Sequence, residues 1–267
     1  MLRKPAVAGQ FYEGEAKRLK RQLEQYIEPQ AKKEEALGIM VPHAGYMYSG
    51  KVAGTVYSRI TIPQTFIIIG PNHHGMGVPT AVMAEGSWET PLGTIAIDTE
   101  TARKILTNSS VLKEDASAHI YEHSLEVQLP FMQYFSGDFE IVPITMRDYS
   151  QSTCQDLGEA IAKAVKESPK KIVIVASSDM THYENRQTAE KKDKSVIEEI
   201  LKLNPEGLLN TVVRNSVSMC GSGPTAVMLF ACKKLGAKKA TLTFYNTSGD
   251  ITGDYDEVVG YAGIIVQ

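Results

Sequence analysis

Short, unbroken apolar runs alternate along this chain with longer stretches in which apolar residues recur every three or four positions. Residues 66–69, 37–41 and 171–176 are rich in isoleucine and valine and carry almost no charge inside the run. Such runs read as strands covered on both faces in a parallel or mixed sheet. Helical spacing is found over residues 15–27, where Leu19, Leu23, Tyr26 and Ile27 share a face, and over 51–59, 99–106, 155–165, 191–203 and 225–235. Asn204 and Pro205 open a further short helix, and Leu125, Leu129 and Met132 mark another that Pro130 either kinks or starts. Residues 139–146, 240–245 and 258–266 supply further strands, and 81–84 with 94–97 a hairpin closed through residues 88–93. Strand and helix alternate, which predicts an α/β fold in one domain, residues 1–267.

The three apolar runs share one ending. Each stops at a turn and opens into a polar loop with histidine: His43 after the first, His73 and His74 after the second, His182 after the third. Ligands of open α/β sheets sit beyond the carboxyl ends of the strands, so loops far apart in sequence are expected to meet there. Neutral imidazole suits divalent iron, copper and zinc. His43, His73 and His182 together therefore read as a metal or catalytic set rather than as three unrelated loop residues.

Composition narrows the function. The 267 residues are 43% hydrophobic, enough for one well-buried core, and a net charge of −3 from 28 basic and 31 acidic residues offers no field for a polyanion. Nucleic acid is not expected as a partner. No apolar run reaches membrane-spanning length and no signal-peptide core follows the first residues, so a soluble cytoplasmic protein is expected. Cys154, Cys220 and Cys232 are too few and scattered for a disulfide framework.

Cys220 precedes a glycine-rich helix start, where backbone dipoles favour a thiolate able to ligate a metal or to attack carbon. Cys154 and Cys232 fall in helical patterns and read as core. His119 and His123 bracket the H-x-x-E-H pattern of inverted zinc peptidases. Ser178, Asp179 and His182 make a triad-like fragment without its turn, and the glycines around Ser222 make an anion cradle without a Walker lysine.

Taken in order, Phe11–Tyr12 with the preceding Ala8-Gly-Gln, Pro42-His43-Ala-Gly-Tyr46, Gly70-Pro-Asn-His-His74, Glu89-Thr-Pro-Leu-Gly93, Glu122-His-Ser-Leu-Glu126, Ser177-Ser-Asp-Met-Thr-His182, Cys220-Gly and Val259-Gly-Tyr-Ala262 resemble the motifs of the Memo family over essentially the whole chain. That family is similar in fold to class III extradiol dioxygenases, non-haem iron enzymes that cleave catechol rings. The resemblance implies a three-layer αβα sandwich around a mixed, mostly parallel sheet. It also implies a mononuclear iron or copper pocket held by His43, His73 and Cys220, with zinc as an alternative. His182, oriented by Asp179, would move protons, and His74, Tyr46, Glu122 and His123 would surround the pocket. Ring-cleaving enzymes use a carboxylate where this chain has Cys220, so redox or oxygenase-type chemistry on a small substrate is expected without inheriting ring cleavage. Two other functions fit the same residues: a non-catalytic module that binds a peptide or protein, and a zinc-dependent hydrolase. Oligomeric state is not written in the sequence.

Overall fold

Residues 1–267 are described by a computed structural model. At its centre four parallel strands lie side by side in the order Gly38–Val41, Ile172–Ser177, Thr65–Pro71 and Glu140–Met146. Every residue of the first three is buried. The β-branched runs form strands here because helices cover both faces of the sheet, and each fully enclosed Ile or Val contributes about 1.5–3 kcal/mol. The sheet is mixed. Val258–Val266 runs antiparallel beside Gly38–Val41 and pairs on its other side with Ala240–Thr247 and His182–Glu184. At the opposite end Thr80–Val82 runs antiparallel to Glu140–Met146 and pairs with Lys113–Glu114.

Side chains alternate across the sheet and so divide the core. Met40, Ile67, Ile69, Val142 and Ile174 face one helical layer, made by Thr99–Asn108, Gln151–Lys166, Arg186–Leu201, Pro205–Arg214 and Ser222–Leu235. Ile39, Val41, Phe66, Ile68 and Val175 face the other, made by Ala16–Glu24, Tyr46–Arg59 and Leu129–Phe135. This is the expected three-layer α/β sandwich. No helix is long and apolar enough to cross a membrane.

One local alternative is decided and one local expectation changes. Pro130 lies in the first turn of Leu129–Phe135, after a 3-10 turn over Glu126–Gln128, so it starts the helix instead of kinking it. The hairpin is shorter than expected, pairing Ser87–Thr90 with Gly93–Ala96 in a separate three-stranded sheet with Leu2–Arg3. Thr80–Val82 goes instead to the large sheet. Its residues are buried throughout, which needs cover on both faces, whereas the hairpin buries Trp88 and Ile95 and exposes several of their neighbours.

Candidate metal centre

The three strands that end in histidine loops are neighbours, so their carboxyl ends open side by side. His43 follows Gly38–Val41, Asp179 follows Ile172–Ser177, and His73 follows Thr65–Pro71. Two glycines let further loops close onto these ends. A Cβ on Gly221 would lie 2.4 Å from the Ser177 carbonyl oxygen, so the loop carrying Cys220 reaches the sheet only because no side chain intervenes. A Cβ on Gly70 would lie 2.6 Å from Ser124 Oγ and Leu125, which is how the Glu122–Ser124 loop seats against its strand. The fourth parallel strand leads to Tyr149, whose hydroxyl donates to the Cys220 carbonyl at 2.7 Å.

Imidazoles gather at this point. The ligand atoms of His43, His73 and His123 lie within 4.8 Å of one another, and the His73 and His123 rings stack at 4.7 Å. Cys220 Sγ is 3.2 Å from His43 Nε2. Two donors sharing one metal at ordinary imidazole and thiolate bond lengths sit about 3.5 Å apart, so this pair is already near coordination spacing. Glu122, fully buried, accepts from the His73 backbone N–H at 2.7 Å, from His73 Nδ1 at 2.9 Å and from the Ser124 N–H at 2.8 Å. With Nδ1 given to a carboxylate, His73 Nε2 keeps its lone pair for a metal. A nitrogen and sulfur donor set of this kind fits iron, copper or zinc. The surrounding cleft holds about 560 Å³ and is walled by Phe11, Tyr48, Tyr183 and Tyr261.

Charge in the site follows burial. His43 is lowered to about 3 by burial and by repulsion from His73, and His123 to about 4 by burial and by His43, so both imidazoles are neutral at pH 7. Burial works against ionising Glu122, but the hydrogen bonds and charge of His73, together with the Ser124 N–H, outweigh it and hold the carboxyl well below its usual range. Burial and then the Asp179 charge push the Cys220 thiol up, against the N–H that Asp179 donates to Sγ at 3.3 Å. The dipole effect expected at the helix start is therefore overruled, and the thiol is protonated at neutral pH.

The remaining residues sort by position. His182 lines the cleft, but its orienting partner is Ser218: the His182 N–H meets Ser218 Oγ at 2.7 Å and Nδ1 meets the Ser218 carbonyl at 2.9 Å. Asp179, expected to orient His182, instead accepts the His43 N–H at 2.7 Å, and burial raises its carboxyl. Ser178 donates to the Asp179 carbonyl and accepts from Gly221, so the triad-like fragment does not assemble. His74 stands exposed at the rim, 6.4 Å from the Tyr121 ring, and with Glu122 and His123 forms a second acidic and imidazole grouping. Tyr46 is in the core against Phe131, and Tyr48 and Phe11 take the wall position instead. His119 lies away from the cleft beneath Trp88, with both ring nitrogens enclosed and unpartnered, so the two histidines of the H-x-x-E-H pattern do not share a face. Ser218, Tyr48 and Tyr183 lie outside the motifs; Phe11, Tyr261 and Ser177 lie inside them, but nothing in the sequence assigned them a place at the site.

A Memo-like protein family model matches residues 3–265. A MEMO1 family protein of Methanosarcina mazei is 47% identical over 268 residues, covering 100% of this chain and 99% of its own. One from Pyrobaculum aerophilum is 46% identical over 276 residues, covering 99% and 98%. Among solved structures, an uncharacterized protein from Escherichia coli K12 shares the fold at TM-score 0.61 and 13% identity, over 85% of this chain and 98% of that one. With a family model spanning nearly every residue and relatives this similar along their whole length, the chain belongs to the Memo family.

Proposed function

We propose that this protein binds one redox-active metal ion, iron or copper, through His43, His73 and Cys220, and uses it on a small molecule admitted to the cleft. The observation that carries the reading is the meeting of His43 Nε2 and Cys220 Sγ at 3.2 Å beside a His73 ring whose other nitrogen is tied to an ionised carboxylate. Bound iron or copper supplies one-electron chemistry and open positions for substrate. The protein's own groups do the rest. Glu122 holds His73 in its ligating tautomer, and the aromatic wall excludes water from one side. His182 faces the cleft with Nδ1 committed to a carbonyl, so its Nε2 is the atom that takes and returns a proton. A cytoplasmic setting suits these roles, because all three cysteines are unpaired and Cys220 has to stay reduced.

One observation favours a second reading. His43, His73 and His123 form a three-imidazole set of the kind that hydrolytic zinc sites use. The test is to purify the protein without oxygen, measure its metal, and follow oxygen uptake and ester hydrolysis in the wild type, Cys220→Ala and His123→Ala. Iron or copper lost in Cys220→Ala and kept in His123→Ala, together with oxygen uptake, supports the redox reading. Zinc lost in His123→Ala and kept in Cys220→Ala, with hydrolysis, replaces it by the hydrolase. A protein that takes up none of the three metals removes both metal readings.

A further inference from the structure

His43 can ligate through Nε2 only if its neutral ring carries its proton on Nδ1, and the residues behind the ring decide which nitrogen has it. Tyr57, Gln128 and Ser177 are completely buried there. The direction of each hydrogen bond follows from groups that cannot change role. The Pro42 carbonyl can only accept, and it lies 2.8 Å from the Gln128 amide, so the nitrogen of that amide points at it. The amide oxygen then accepts from the Tyr57 hydroxyl at 3.1 Å, and the same nitrogen donates to Ser177 Oγ at 2.9 Å. The Ser124 carbonyl, 2.6 Å from Ser177 Oγ, likewise can only accept, so the serine hydrogen is spent on it. Ser177 Oγ has nothing left to donate. At 3.0 Å from His43 Nδ1 it must accept, which places the imidazole proton on Nδ1. The Nε2 lone pair is then aimed at Cys220 Sγ.

We infer that Ser177 is a positioning residue: with its own hydrogen committed to Ser124 and its oxygen backed by Gln128, it fixes the His43 tautomer and leaves Nε2 free toward Cys220. The inference rests on the metal-binding reading for its purpose, though not for its geometry. Neither Ser177 nor Gln128 reaches the cleft, so their effect on binding passes through His43.

The tautomer can be read directly. Long-range proton–nitrogen correlation spectra of the metal-free, nitrogen-15-labelled full chain at pH 7 distinguish a protonated from a lone-pair nitrogen in each ring. The wild type is expected to show His43 protonated at Nδ1. In Ser177→Ala the proton is expected to move to Nε2, and the dissociation constant for zinc, used as a redox-silent probe, to rise about 10–100-fold. A wild-type His43 protonated at Nε2 overturns the inference by itself, even if the variant fails to fold. So does a folded Ser177→Ala that keeps the proton on Nδ1 and binds zinc as before. A wild type with the Nδ1 proton that binds no zinc, iron or copper removes the proposed function and leaves the tautomer assignment standing.

Discussion

Replacing Glu122 with glutamine removes one charge and almost no volume, and the site geometry sets what this costs. One carboxylate oxygen accepts from both His73 Nδ1 and the Ser124 N–H, and the other from the His73 N–H. A carboxamide turned either way sets its NH₂ against at least one of these donors. A buried donor left without an acceptor costs about 1–3 kcal/mol of stability. Losing the group that orients a metal-ligating histidine costs about 10–100-fold in affinity, or roughly 1.4–2.8 kcal/mol. The stability part carries a pH signature. Because the folded carboxyl is held well below its usual range, its contribution is complete above the unfolded value of about 4.3 and is lost as pH falls through the folded value. The stability gap between wild type and Glu122→Gln should therefore be full at neutral pH and shrink only below about pH 4. Urea denaturation across that range and zinc calorimetry at pH 7 measure the two parts separately. Zinc binding unchanged in Glu122→Gln, with stability within about 0.5 kcal/mol of wild type, would refute the role given to this carboxylate.

Two further substitutions separate the fold from the site. Glu126, also fully buried, is bonded by Arg3, by the N–H groups of Ala6 and Val7 at 2.7 and 3.1 Å, and by the Tyr12 hydroxyl at 2.7 Å. Glu126→Gln should cost about 3–5 kcal/mol in urea denaturation and leave zinc affinity nearly intact, since no candidate ligand touches it; an affinity loss as large as that of Glu122→Gln would contradict this division. Burial and the Arg3 charge lower His119 to about 3, so its stabilising neutral form is complete above the unfolded value of about 6.5 and is lost as pH falls through that window. Between pH 7 and about pH 4.5, His119→Phe should therefore lose roughly 2–3 kcal/mol less stability than wild type, and equal losses would mean that His119 is not buried neutral.

The sheet was legible because its signal is local. A fully covered strand such as Thr65–Pro71 needs an unbroken apolar run, and a run that ends in glycine and proline announces its own end. Three such runs with histidine beyond them were enough to place His43 and His73 together, since adjacent parallel strands put their loops at one edge. The hairpin was misread because Ala81 and Val82 look alike in a one-sided and a two-sided sheet, and only their burial on both faces distinguishes the two. His119 and His123 show the same limit at the site. Four residues apart, they share a face only in a continuous α-helix, but the chain makes a 3-10 turn over Ala116–His119, so one ring enters the core under Trp88 and the other enters the cleft. The orienting contacts of His43 and His182 were invisible for another reason: Ser177, Gln128 and Ser218 act through hydrogen-bond direction, which no spacing rule encodes.

A common centre for the strand-end histidines and Cys220 is tested most directly by where a metal settles. Crystals of the full chain grown anaerobically with iron, measured on both sides of the iron absorption edge, should show one anomalous peak within bonding distance of His43 Nε2, His73 Nε2 and Cys220 Sγ. A peak bonded by His74 and Glu122 at the rim, or no peak in the cleft at saturating iron, would contradict it.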